Sequence, residues 1–190
     1  MNNFTFHNPT KLVFGRDSIL ELPKLLPSGA KILLTFGGGS VKRNGVYEAV
    51  TAQLQGFQTA EFWGIEPNPK VETLRKAIAL GKQEGVTFVL AVGGGSVLDA
   101  SKLIVNAIPS ERDAWDLVLR GADRSVQILP LGTVLTIPAT GSEMNRGAVI
   151  SCEATHEKFG FYNEYPRFSI LDPTYTFSLP DYQIACGIAD

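Results

Sequence analysis

Twice in this chain a short apolar run ends in three glycines and a serine, and a segment of helical periodicity follows. The run 31–36 leads into Gly37-Gly38-Gly39-Ser40, after which Val46, Tyr47, Val50 and Leu54 fall on one face of a helix expected over 44–55. The run 86–92 leads into Gly93-Gly94-Gly95-Ser96 and a helix expected over 97–107, with Ser96 placed as its N-cap. Between them lie a strand over 57–63, the break Pro67-Asn68-Pro69, and a helix over 71–84 whose Val71, Leu74, Ala77 and Ile78 recur at helical spacing. Continuous apolar runs suit strands buried on both faces, so the alternation points to an α/β domain with a mostly parallel sheet and right-handed crossovers. Ligands of such sheets bind at the carboxyl ends of the strands, where both glycine runs lie.

Beyond Pro109 the pattern changes. Residues 134–138 read as one more inner strand and 139–143 as a turn of small residues. The stretches 148–151, 159–162 and 168–171 read as short, hairpin-like strands, and Leu179-Pro180-Asp181 opens a helix. Whole classes of function drop out on charge and hydropathy. With 17 Lys and Arg against 19 Asp and Glu, the formal charge is -2, which excludes the basic footprint of a nucleic-acid binder. No stretch approaches the roughly 18 apolar residues of a membrane span. The start, Met1-Asn2-Asn3-Phe4, lacks the basic-then-apolar pattern of a secretion signal, so a cytoplasmic location is expected. Cys152 and Cys186 have no C-x-x-C spacing and read as reduced structural thiols. His7 and His156, the two histidines, read as surface or hairpin residues.

Glycines after a strand allow close approach of the backbone to a ligand, and the N–H groups at the start of the next helix attract an anion. Gly93 to Ser96 therefore read either as a pyrophosphate cradle or as a tight strand-to-helix turn that binds nothing; two such runs on adjacent strands favour a nucleotide. Neither run is the G-x-G-x-x-G fingerprint, because Leu98 and Lys42 stand where the third glycine would be. A P-loop and the G-x-S-x-G elbow of α/β hydrolases are also missing.

Four motifs in order resemble the iron-dependent (group III) alcohol dehydrogenases, in particular their NADPH-dependent butanol dehydrogenase and aldehyde reductase branch. They are Phe36 to Gly45, Gly93 to Lys102, Thr136 to Glu143, and the closing Gly187-Ile188-Ala189-Asp190. The resemblance implies a Rossmann-like parallel sheet flanked by helices with a β-hairpin extension, as in the N-terminal domain of dehydroquinate synthase. Residues 1–190 would be that dinucleotide-binding α/β domain, ending where a helical metal-binding domain begins. Gly94, Gly95 and Ser96 would hold the pyrophosphate, and Thr136, Thr140 and Asn145 would line the diphosphate and nicotinamide ribose. Asp99, read as lying in the first turn of its helix, either sits beside the nicotinamide or answers the helix dipole. Lys158 either reaches the cofactor or is a solvated surface charge.

Gly37, Gly38, Gly39 and Ser40 bear on cofactor choice. NAD-preferring sites place a carboxylate on the ribose 2′-hydroxyl, where it repels a 2′-phosphate. Here the turn is small and neutral with Lys42 and Arg43 behind it, which suits NADP(H). Asp190 matches the family's first ligand to a divalent ion, iron or zinc; the histidines that complete such a site have no counterpart here, and one carboxylate cannot hold a catalytic ion. The expectation is thus the NADP(H)-binding part of a metal-dependent alcohol dehydrogenase acting on a small aldehyde or alcohol, without metal-dependent turnover of its own. Residues 4–6 and 11–14 would pair as edge strands in a homodimer. A glycerol dehydrogenase-like or dehydroquinate synthase-like enzyme and a stand-alone nucleotide-binding module are the alternatives.

Overall fold

The computed structural model describes residues 3–190. Along the chain run β1 (Lys11–Phe14), α1 (Leu22–Leu25), β2 (Lys31–Phe36), α2 (Ser40–Arg43), α3 (Val46–Ala52), β3 (Gln58–Phe62), α4 (Val71–Glu84), β4 (Phe88–Gly94) and α5 (Gly95–Ala107). They are followed by α6 (Ala114–Arg120), β5 (Leu131–Ile137), β6 (Gly147–Cys152), β7 (Glu157–Tyr162), β8 (Phe168–Leu171) and α7 (Asp181–Ala189). Short 3₁₀ turns cover Ser18–Glu21, Ser142–Met144 and Pro173–Thr176.

Six strands form one parallel sheet in the order β1-β8-β5-β4-β2-β3, and β6 and β7 form a separate antiparallel hairpin. The α/β expectation with a hairpin extension is therefore met. From β2 the chain moves outward to β3, and from β4 it moves the other way to β5, so the direction of winding reverses between β2 and β4. That reversal opens a crevice at the carboxyl ends of those two strands.

Both faces of the sheet are covered. On one, Leu33, Val89, Ala91 and Leu135 pack under α4, α5, α6 and the hairpin; on the other, Ile32, Leu34, Phe36, Leu90 and Val92 pack under Val46 and Val50 of α3 and Leu22 and Leu26 around α1. Burial on both sides explains why β2 and β4 read as unbroken apolar runs instead of alternating ones. Truncating a side chain such as Leu90, fully buried in the central strand, is expected to cost about 2–5 kcal/mol.

Four expectations need correction. The helix over 44–55 is shorter, because Gly45 adopts a left-handed φ of 79° and starts a new helix, α3, behind the separate turn α2. Ser96 does not cap α5: the helix begins at Gly95, Gly94 is the N-cap residue, and no side chain caps it. Residues 168–171 are not part of a hairpin but an inner parallel strand between β5 and β1. Gly132 makes that possible, since a Cβ there would strike the Phe168 ring, which instead lies flat near Phe88 with centroids 5.9 Å apart. Finally, residues 4–6 form no strand, while β1 is the sheet's edge and pairs with β8 of its own chain.

Candidate functional site

The two glycine turns stand side by side, because β2 and β4 are hydrogen-bonded neighbours with Phe36 opposite Val92. The glycines are there for different reasons. Gly39 has a φ of 90°, a conformation only glycine takes at low cost. Gly93 and Gly94 are required by packing: a Cβ on Gly93 would lie 2.7 Å from Val97 Cγ2, and one on Gly94 would run into Ile137 Cγ2. Gly38 has neither reason. Its φ is not left-handed, and a Cβ there would meet nothing within 4 Å. Absence of a side chain at Gly38 leaves open space at the mouth of the crevice, the property a bound phosphate or ribose needs.

Across the crevice α5 presents its start. Gly94, Gly95 and Ser96, all half-buried, open a 13-residue helix with no side-chain cap, so its first N–H groups, at the positive end of its dipole, have no capping side chain. Opposite Gly93 and Gly94 the β4–β5 register slips: Leu135 pairs with Gly93 and Ile137 with Gly94, leaving Thr136 as the bulged residue, buried in the floor. Thr140 is exposed at the rim, its Oγ1 3.2 Å from where a Gly95 Cβ would be.

Beside Ser40 lies a cavity of about 440 Å³, lined by Ser40, Arg43, Asn44, Ile137, Leu179 and Gln183 among others. A lining that combines apolar Ile137 and Leu179 with polar Ser40 and cationic Arg43 has the chemistry to suit a flat base and an anion. Of the two cations expected behind the turn, only Arg43 lines this cavity. Lys42 is engaged elsewhere, its ammonium 4.1 Å from the Trp63 ring centroid and 5.1 Å from that of Tyr47. Trp63 in turn stacks on Phe36 at 4.0 Å, so this cation belongs to an aromatic cluster under α3.

Asp99 is not in the first turn of α5, which starts two residues earlier than the sequence suggests; the helix-dipole reading loses its basis. Instead Oδ1 accepts a hydrogen bond from Ser142 Oγ at 2.6 Å and Oδ2 accepts one from the Val149 amide at 2.9 Å. One turn on, Lys102 is completely buried and donates to Ser142 Oγ at 2.7 Å, Asn145 Oδ1 at 3.0 Å and the Gly147 carbonyl at 2.6 Å. Burial pushes its amine down to about 8, against the pull of Asp99 and Glu143. Asn145 thus serves the turn itself, accepting also from the Gly147 amide at 2.9 Å. Asp99, Ser142, Asn145 and Gly147 border a second cavity of about 390 Å³ shared with Thr140, Tyr162 and Tyr165.

Lys158, on β7, is exposed and donates to Asn68 Oδ1 at 2.7 Å, which holds it to the loop after β3 rather than to either glycine turn. Asp190 follows the last residue of α7 and is exposed, as are His7 and His156. Among the described residues no group of three His, Cys, Asp or Glu side chains is placed to hold a metal ion. The residues present fit a dinucleotide; for a metal they do not. The sequence does not single out Lys102 and Ser142 as contacts of the site. A lysine inside the apolar pattern of α5 is the available signal for the first.

The sequence profile of the iron-containing alcohol dehydrogenases matches residues 9–173. The NADPH-dependent aldehyde reductase YqhD of Escherichia coli is 47% identical over 194 residues, covering 100% of this chain and 50% of that protein. A probable NADH-dependent butanol dehydrogenase 1 of Bacillus subtilis is also 47% identical, over 195 residues and the same shares. The crystal structure of Escherichia coli YqhD superposes with a TM-score of 0.93 at 47% identity, over 100% of this chain and 50% of that one. That of NADH-dependent butanol dehydrogenase A from Thermotoga maritima gives a TM-score of 0.93 at 43% identity, over 100% and 49%. The chain spans about half the length of the relatives it matches. With the fold, the paired glycine turns and the profile in agreement, the chain belongs to the iron-containing alcohol dehydrogenase family.

Proposed function

We propose that residues 1–190 bind NADP(H) in the crevice between β2 and β4, as the cofactor domain of an alcohol dehydrogenase or aldehyde reductase acting on a small aldehyde or primary alcohol. The observation that carries this reading is the open space at Gly38, which neither backbone conformation nor packing demands, facing the uncapped start of α5. Gly94, Gly95 and Ser96 hold the pyrophosphate by backbone N–H groups, Thr136 and Thr140 line its floor and rim, and the adenosine lies in the cavity of Ile137 and Leu179. Ser40 and Arg43 take the 2′-phosphate, with Gly37 to Gly39 leaving it room. When bound, the cofactor supplies or accepts the hydride. Asp99 and Asn145 shape the wall at its nicotinamide end, and Lys158 approaches it only on leaving Asn68.

The related proteins divide between NADPH and NADH in their names, so the preference rests on the chemistry of the turn: no carboxylate lies among residues 37–40. Asp190 offers a metal ion a single carboxylate, so no metal-assisted step is assigned to residues 1–190. A homodimer through the unpaired edge of β1, where Leu12 and Phe14 are exposed, and a cytoplasmic setting belong to the same proposal. No helix among the described residues is long and apolar enough to cross a membrane. Amide chemical shifts of the chain titrated with NADPH test the reading: residues 37–40 and 94–96 should move together, and shifts confined elsewhere would contradict it.

A further inference from the structure

A lysine is almost never fully buried unless its charge is matched, and an apolar side chain of the same length would serve packing alone as well or better. Lys102 is nonetheless 0% exposed, in the middle of α5 among Leu98, Leu103 and Val105. Each of its three side-chain hydrogen bonds ends on one short segment, at Ser142 Oγ, Asn145 Oδ1 and the Gly147 carbonyl. That segment carries Thr140 at the rim, and before β6 begins at Gly147 its one regular element is the short 3₁₀ turn Ser142–Met144. The same helix, two turns earlier, opens the crevice with Gly95 and Ser96. One helix therefore supplies the anion-facing N–H groups and, through one side chain, the anchor of the opposite wall.

We propose that Lys102 is a positioning residue for the dinucleotide, its buried ammonium fixing the 140–147 segment as the second wall of the crevice that α5 opens, an inference that rests on the nucleotide reading above. The charged groups that face it are Asp99 on its own helix, 4.0 Å away, and Glu143 on the 3₁₀ turn; both favour the ammonium, while burial opposes it and brings its titration to about 8. An ammonium supplies three donors for the three acceptors, and a neutral amine only two. Loss of the proton therefore loosens the wall.

The test uses the 190-residue chain, with NADPH and adenosine 2′,5′-bisphosphate as probes, the second lacking the nicotinamide half. In Lys102→Met, NADPH affinity should fall about tenfold while the bisphosphate binds within about twofold of wild type. Wild-type NADPH affinity should also weaken as pH rises through 8, and that dependence should vanish in the variant. Ser142→Ala keeps the lysine but removes the hydroxyl joining it to Asp99; it should weaken NADPH about threefold, and it carries the test if Lys102→Met does not fold. Equal losses for both probes, or none for either, would overturn the positioning role while leaving the nucleotide reading intact. A wild-type chain that binds neither probe would overturn both.

Discussion

Asp99 accepts a hydrogen bond from Ser142 at 2.6 Å, and this contact ties the second turn of α5 to the turn that follows β5. Ser142 is 2% exposed and uses its single proton on Asp99 while accepting from Lys102. Asp99→Ala leaves the hydroxyl without its acceptor and the Val149 amide without its partner. We expect a loss of about 1–3 kcal/mol in urea unfolding. Stability unchanged in that variant would mean that the contact is replaced by water.

Alanine at two glycines separates packing from ligand space. Gly93→Ala pushes a methyl group against Val97, whose β-branched side chain is stiff, so a loss of about 1–3 kcal/mol is expected. Gly38→Ala meets no protein atom and should leave stability within about 0.5 kcal/mol, yet weaken NADPH binding. Thermal melts and a binding titration on both variants check the contrast. A Gly38→Ala chain that binds as wild type would remove the main support for a ligand at that turn.

The contrast also shows what is legible in the sequence. β2 and α4 match their expected bounds because burial on both faces and a clear 3.6-residue period leave little ambiguity. The place of β8 is hidden because a four-residue apolar run does not reveal its partner, which here depends on Gly132 making room for Phe168. Gly94, Gly95 and Asp99 are legible as motif residues, but not their partners. Lys102 meets Asn145 and Gly147 across more than forty positions, and Lys42 turns toward Trp63 rather than the crevice. Such contacts depend on the fold bringing distant side chains together, not on local pattern.

Arg43 is the cation that remains beside Ser40 once Lys42 is committed to the aromatic cluster. Arg43→Ala should weaken NADPH binding about tenfold and leave NADH little changed, since only NADPH carries the extra phosphate. Equal losses for both cofactors would place the guanidinium away from the 2′-phosphate.

Burial lowers the Lys102 amine from 10.5 to about 8, so between those values the unfolded chain keeps a proton that the folded chain has released. Stability then rises with pH across that window, because protonation favours the unfolded state there. The unfolding free energy of wild type relative to Lys102→Met should accordingly increase from about pH 7.5 to about pH 10. A flat or falling difference would show the ammonium to be stabilised overall by its surroundings.

Calorimetric dissociation constants of the chain for NADPH and NADH, at one pH and salt concentration, test the central claim most directly. The account predicts that NADPH binds more tightly, through the neutral turn of residues 37–40 and Arg43. Tighter binding of NADH, or no binding of either, would contradict it.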